Sequence, residues 1–202
     1  KKYDKSKIKK NQILITNKII RYYASQVDPK ILKSFKLAIK RVYKYHKKQY
    51  PKNYFLKNKG INLSQRWLPI DSVGLYIPGG KASYPSSLIM NAVPAIIAGV
   101  KRIAVVSPSY QGKPNPYIMA ILKLLNIKEV YQVGGAHAIA ALAYGTKTIK
   151  PVNKIFGPGN IYVNSAKKQV FGKVGIDIIA GPSEIVVVAD KNNNPDWIAA
   201  DL

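Results

Sequence analysis

The rhythm of apolar and polar positions changes near residue 66. Before it, Ile31, Phe35, Ile39, Val42 and His46 recur at spacings of three and four, and Lys33, Lys36, Lys40, Lys44 and Lys47 fill the other positions. That is an amphipathic helix with one buried stripe. Asp28-Pro29 starts it, with Asp as N-cap and Pro at the first helical position. Residues 1–60 read as helical, with Pro51 and Gly60 bracketing a polar connector. His46 reads as packed or solvated, not catalytic.

From Arg66 onward short apolar runs alternate with longer helical ones. Strands are predicted at 73–77, 102–106, 129–133, 154–156, 176–179 and 184–189. Helices are predicted at 86–100, from Asn115-Pro116 to about 126, at 136–144, from 160 to 170, and from Asn194-Pro195. Pro94 predicts a kink or break in the first of these. The run at 102–106 is continuously apolar and β-branched, as in a strand covered on both faces. Such alternation predicts an α/β protein with a parallel sheet and right-handed crossovers.

Sharp glycine turns fall where strands meet helices: Pro78-Gly79-Gly80, Gly134-Gly135, Gly157-Pro158-Gly159-Asn160 and Gly181-Pro182-Ser183. A strand, a tight turn and a helix start together aim backbone N–H groups at an anion. Ligands of parallel sheets bind past the carboxyl ends of the strands. Each turn taken singly is equally a tight βα connection. The Gly-x-Gly-x-x-Gly fingerprint and the phosphate-binding lysine loop are both absent. Physics alone therefore reaches a phosphate- or nucleotide-binding protein of unspecified chemistry. His137, at a helix start, reads either as a neutral donor–acceptor toward a ligand or as a polar helix-start residue. Glu184 reads as functional or as a local cap partner. No His, Asp or Glu grouping has metal-ligand spacing.

Charge adds one rival. Residues 1–60 carry a net +17 of the chain's +24. A basic nucleic-acid-associated α/β domain is one reading; a solvated lysine-rich surface without a specific nucleic-acid partner is the other. With no Cys there are no disulfides or thiolate metal sites. No apolar run approaches the roughly 18 residues of a membrane helix, and the default expectation is cytoplasmic. The chain does not begin with Met, and the helix from Asn194-Pro195 is cut short at Leu202, so a fragment is expected.

Four stretches resemble the histidinol dehydrogenase family: Leu75-Tyr76-Ile77-Pro78-Gly79-Gly80, the run from Gly134 to Thr146, Gly157-Pro158-Gly159-Asn160-Ile161-Tyr162-Val163, and Ile176-Asp177-Ile178-Ile179-Ala180-Gly181-Pro182-Ser183-Glu184. They occur in the family's order, and the likeness is continuous from about 66 to 202.

The resemblance implies a homodimer of incomplete Rossmann-like domains that oxidises L-histidinol to L-histidine through the aldehyde, using NAD and a zinc ion (Zn2+). It implies NAD contacts at Tyr76 and Asn160 and a histidinol contact at Ser183. His137 stands where the family has Gln in an NAD-contacting stretch; it can keep the contact and would make it pH-sensitive. The implied division is a helical segment at 1–65, a Rossmann-like NAD-binding domain at 66–182 and the start of a further α/β portion at 183–202. The family's zinc ligands and Glu-His acid–base pair would fall beyond Leu202. This span alone is then expected to bind no catalytic zinc, to turn over no histidinol and to have an incomplete core. A family member that has lost the chemistry is a third reading.

Overall fold

A computed structural model of the chain describes residue 8 and residues 12–79, 83–179 and 185–202. Helix α1 (Asn17–Ala24) begins at Thr16, whose hydroxyl accepts from the Ile19 N–H. Helix α2 (Pro29–Lys47) begins at Asp28, whose carboxylate accepts from the Lys30 N–H. Its predicted stripe faces inward. Ile31, Phe35, Ile39, Val42 and His46 are half-buried, and the interleaved lysines are exposed.

The helical reading fails after α2. Strands β1 (Tyr54–Asn58) and β2 (Ile61–Gln65) pair antiparallel around Lys59-Gly60. Gly60 takes φ +79° there, and two short apolar runs flank it. The interspersed Lys and Asn masked those runs, so a hairpin read as a polar connector.

Beyond the hairpin, strands and helices alternate as expected: β3 (Ser72–Tyr76), α3 (Pro85–Ile97), β4 (Arg102–Val106), α4 (Pro116–Leu124), β5 (Glu129–Tyr131), α5 (Gly135–Tyr144), β6 (Lys154–Phe156), α6 (Ile161–Val170) and β7 (Gly175–Ile176). The sheet order is β5-β4-β3-β6-β7, and every neighbouring pair is parallel. The chain starts in the middle, steps out to β5, then returns across β3 to β6. That is the strand order of a doubly wound nucleotide-binding sheet, and its direction reverses between β3 and β6.

Both faces of the sheet are covered. Val73, Leu75, Ile77 and Val105 pack with Leu88, Ile89, Ile118 and Ile121 of α3 and α4, and with Ile15, Ile20 and Ala24 from the N-terminal region. Tyr76, Ala104, Val106 and Ile155 pack with Ile139 and Leu142 of α5 and Val163 and Val170 of α6. Alternate residues of β3 thus feed opposite cores, as the period of two requires. The N-terminal helices share the first core, and residues 13–15 bond to the β5 edge through Ile15 N–H to Val130 O and Gln132 N–H to Ile13 O, both at 2.8 Å.

Three local expectations are corrected. The break allowed for at Pro94 does not occur, and α3 runs on through it, with Ala98 N–H on Pro94 O at 2.8 Å. The strand expected at 176–179 is only Gly175–Ile176. Residues 185–189 form no strand, and Val186 and Val188 are 87% and 92% exposed. A strand needs a neighbour's N–H and C=O groups, and among the described residues none lies beside this run. Helix α7 (Pro195–Asp201) does begin at Asn194, as Asn-Pro predicts.

Candidate functional site

In a parallel sheet all carboxyl ends lie along one edge, so the turns after β3, β4, β5 and β6 share a rim. Tyr76 ends β3 and is 4% exposed. Its hydroxyl accepts a hydrogen bond from the Gly135 N–H at 3.2 Å. The first motif is thereby tied to the second, which opens α5 after β5.

The third motif meets Tyr76 through backbone. Gly157 has φ +120°, and a β-carbon there would lie 2.0 Å from the Tyr76 carbonyl oxygen. Only glycine permits that contact. Gly79 and Gly134 both lie against Pro108, where a β-carbon would come within 2.7 Å of it. The close approach these glycines allow is therefore to neighbouring turns, and it draws the turns together.

Asn160 is the N-cap of α6, and its Oδ1 accepts from the Tyr162 and Val163 N–H groups at 3.1 Å each. Its amide nitrogen is left as the donor it can offer outward. The N-terminus of α5 differs: its N-cap is Gly134, which has no capping side chain. His137 is exposed in the first turn of that helix. Tyr76, His137 and Asn160 therefore stand on turns of one rim, and Tyr76 and Asn160 flank the point where the sheet reverses direction. Ser183, like Gly80 and Glu184, lies outside the described residues.

Sequence reasoning missed two groups at this rim. Lys167 is buried to 1% exposure, and its Nζ donates to Gly157 O at 2.6 Å and to Asp177 Oδ1 at 2.5 Å. Asp177 Oδ2 in turn accepts the Gly157 N–H at 2.8 Å. The available signal was spacing: Val163, Lys167 and Val170 form the buried stripe of α6.

A cavity of about 290 Å³ adjoins the rim, lined by Gly79, Ser107, Pro108, Lys113 and Asn115 among others. A larger apolar groove of about 490 Å³ is lined by His46, Trp67, Met90 and Phe156 among others, and none of Tyr76, His137 or Asn160 reaches it. Among the described residues no group of three His, Cys, Asp or Glu is placed to hold a metal ion.

Fold and rim together define a doubly wound α/β protein whose strand order reverses between β3 and β6. The family profile "Histidinol dehydrogenase" matches residues 1–202. The chain is 56% identical to histidinol dehydrogenase of Rhizobium meliloti over 177 residues, covering 87% of this chain and 41% of that one. It is 52% identical to that of Mesorhizobium japonicum over 202 residues, covering 100% and 47%. The crystal structure of histidinol dehydrogenase from Elizabethkingia anophelis superposes with a TM-score of 0.91 at 36% identity, over 99% of this chain and 46% of that chain. This chain belongs to the histidinol dehydrogenase family. It spans less than half the length of these relatives.

Proposed function

We propose that the whole protein of which this chain is a span oxidises L-histidinol to L-histidine in two successive NAD-dependent steps, as a cytoplasmic homodimer. Family membership supports the reaction. The observation that carries the cofactor reading is the joining of the first three motifs at the switch point, Tyr76 to Gly135 by a hydrogen bond and Tyr76 to Gly157 by backbone contact.

The residues present suit a dinucleotide. The start of α5, where Tyr76 takes the Gly135 N–H, offers its next N–H groups to a phosphate. The Asn160 amide offers a donor beside it, and Tyr76 closes the floor between them. His137, with a donor and an acceptor on its ring, takes the place of an amide side chain. NAD, when bound, supplies the hydride acceptor; these residues bind and orient it. Ser183 is assigned to the histidinol contact on its motif. A zinc ion does not fit the described residues, so its ligands are assigned to other parts of the whole protein and no step is derived through it here. The span 1–202 by itself is expected to turn over no histidinol.

The test is NADH formation by the whole protein on L-histidinol. Two NADH per substrate are expected. No NADH with histidinol, under conditions where the Rhizobium meliloti relative is active, would remove the proposal. Among the described residues no helix is long and apolar enough to cross a membrane.

A further inference from the structure

The proposed reaction leaves one buried charged group without a role. Lys167 sits on the inward stripe of α6 between Val163 and Val170, at 1% exposure. An apolar residue would pack there without desolvating an ammonium, and replacing buried ion pairs by apolar groups is often neutral or stabilising. The lysine and its carboxylate partner are directed at one residue. Its Nζ holds the carbonyl of Gly157 at 2.6 Å and the Oδ1 of Asp177 at 2.5 Å. The Oδ2 of the same carboxylate holds the Gly157 N–H at 2.8 Å. Gly157 is gripped at both its donor and its acceptor, in a φ +120° conformation pressed on the Tyr76 carbonyl.

That glycine opens the turn whose fourth residue, Asn160, caps α6. A rotation of the Gly157 peptide would swing the turn away from β3 and carry Asn160 with it. Asp177 is itself fixed, its N–H donating to Ile155 O at 3.1 Å on the neighbouring strand. Its segment continues in sequence into Gly181-Pro182-Ser183. One carboxylate therefore links the turn after β6 with the stretch leading to the fourth motif.

We infer that Lys167 and Asp177 are positioning residues, an ion-paired clamp that sets the Gly157–Asn160 turn for the nicotinamide dinucleotide. The inference rests on the NAD reading above. A clamp of this kind acts on binding geometry and leaves the reacting atoms untouched. Its loss should appear in KM for NAD far more than in kcat.

The experiment uses the whole protein with Lys167→Met and, separately, Asp177→Asn, which is nearly isosteric and serves if the first does not fold. Each folded variant is expected to raise KM for NAD about tenfold while kcat at saturating NAD changes by less than about threefold. The amide of Gly157 should exchange hydrogen about tenfold faster, measured without any cofactor. A variant with unchanged KM and unchanged Gly157 exchange, but a lower unfolding temperature, would overturn the inference and leave the pair as a fold contact only. A wild-type protein that binds no NAD would sink the dinucleotide reading and this inference with it. Normal wild-type NAD binding beside unaltered variants would sink the inference alone.

Discussion

Tyr131 ends β5, but its phenol reaches back to Glu129 at the start of the strand and carries a pH signature there. Its hydroxyl donates to Glu129 Oε1 at 2.9 Å. Arg102 meets the same carboxylate, Nε to Oε2 at 2.9 Å and Nη2 to Oε1 at 2.8 Å, and also donates to the Pro151 and Lys150 carbonyls. The hydrogen bond to Glu129 raises the Arg102 pKa against the opposing effect of its burial. Burial, then the bond to Glu129, pushes the Tyr131 pKa from 10.0 up to about 12. The raised value stabilises the neutral phenol in the fold. That contribution is whole below pH 10 and is lost as pH climbs through about 12. Tyr131→Phe should cost about 1 kcal/mol at neutral pH. The gap between wild type and variant should then shrink across pH 10 to about 12. Denaturant titrations of both proteins at stepped pH measure it, and a gap that widens there would contradict the assignment.

At the scale of elements, helix starts were the most legible feature. Asp28-Pro29, Asn115-Pro116 and Asn194-Pro195 each cap a helix as the dipeptides predict. The strands at 102–106 and 154–156 lie where their apolar runs placed them. The hairpin of β1 and β2 was hidden because Lys and Asn break its apolar runs. The run at 185–189 misled for the opposite reason, since Val186 to Val188 has strand composition but, among the described residues, no strand pairs with it. Lys167 was passed over because a lysine at a stripe position reads as solvated, although its spacing from Val163 and Val170 places it on the inward face of α6. Asn160, proposed as a cofactor contact, also has a structural task as the N-cap of α6. Substituting Asp separates the two tasks. Asp keeps the oxygen that accepts from Tyr162 and Val163 N–H, and an anionic cap suits the helix dipole. It removes the amide donor offered outward. Asn160→Asp in the whole protein should leave the unfolding temperature within a degree or two and weaken NAD about tenfold. Asn160→Ala should weaken NAD comparably and also lose about 1 kcal/mol of stability. Equal NAD binding by Asp and Asn at this position would remove the residue from the cofactor contacts.

The molecule as a whole divides by how its apolar surface is covered. The five-stranded sheet has a core on each face, and β3, shared by both, has all five residues buried. The sheet itself is closed on both sides, and the uncovered apolar groups lie outside it. Tyr54, Phe55, Leu56, Ile61 and Leu63 of the hairpin are each more than half exposed, as are Ile185, Val186 and Val188. A lone two-stranded hairpin is marginal in water, and residues 185–189 pair with no strand among the described residues. Stability should therefore be graded. In the isolated span, amides of β3, β4 and β6 should exchange only by global opening and share one free energy. Those of the hairpin and of 185–202 should exchange by local opening, with protection lower by about two orders of magnitude or more. The rim belongs to the first group, because Gly135 and Gly157 are tied to Tyr76, so these turns should stay formed while the outlying segments open. Residue-resolved hydrogen exchange decides the point. Hairpin amides as protected as those of β4 would mean that the sheet and the hairpin unfold as one unit, and the exposed apolar surface would need another account.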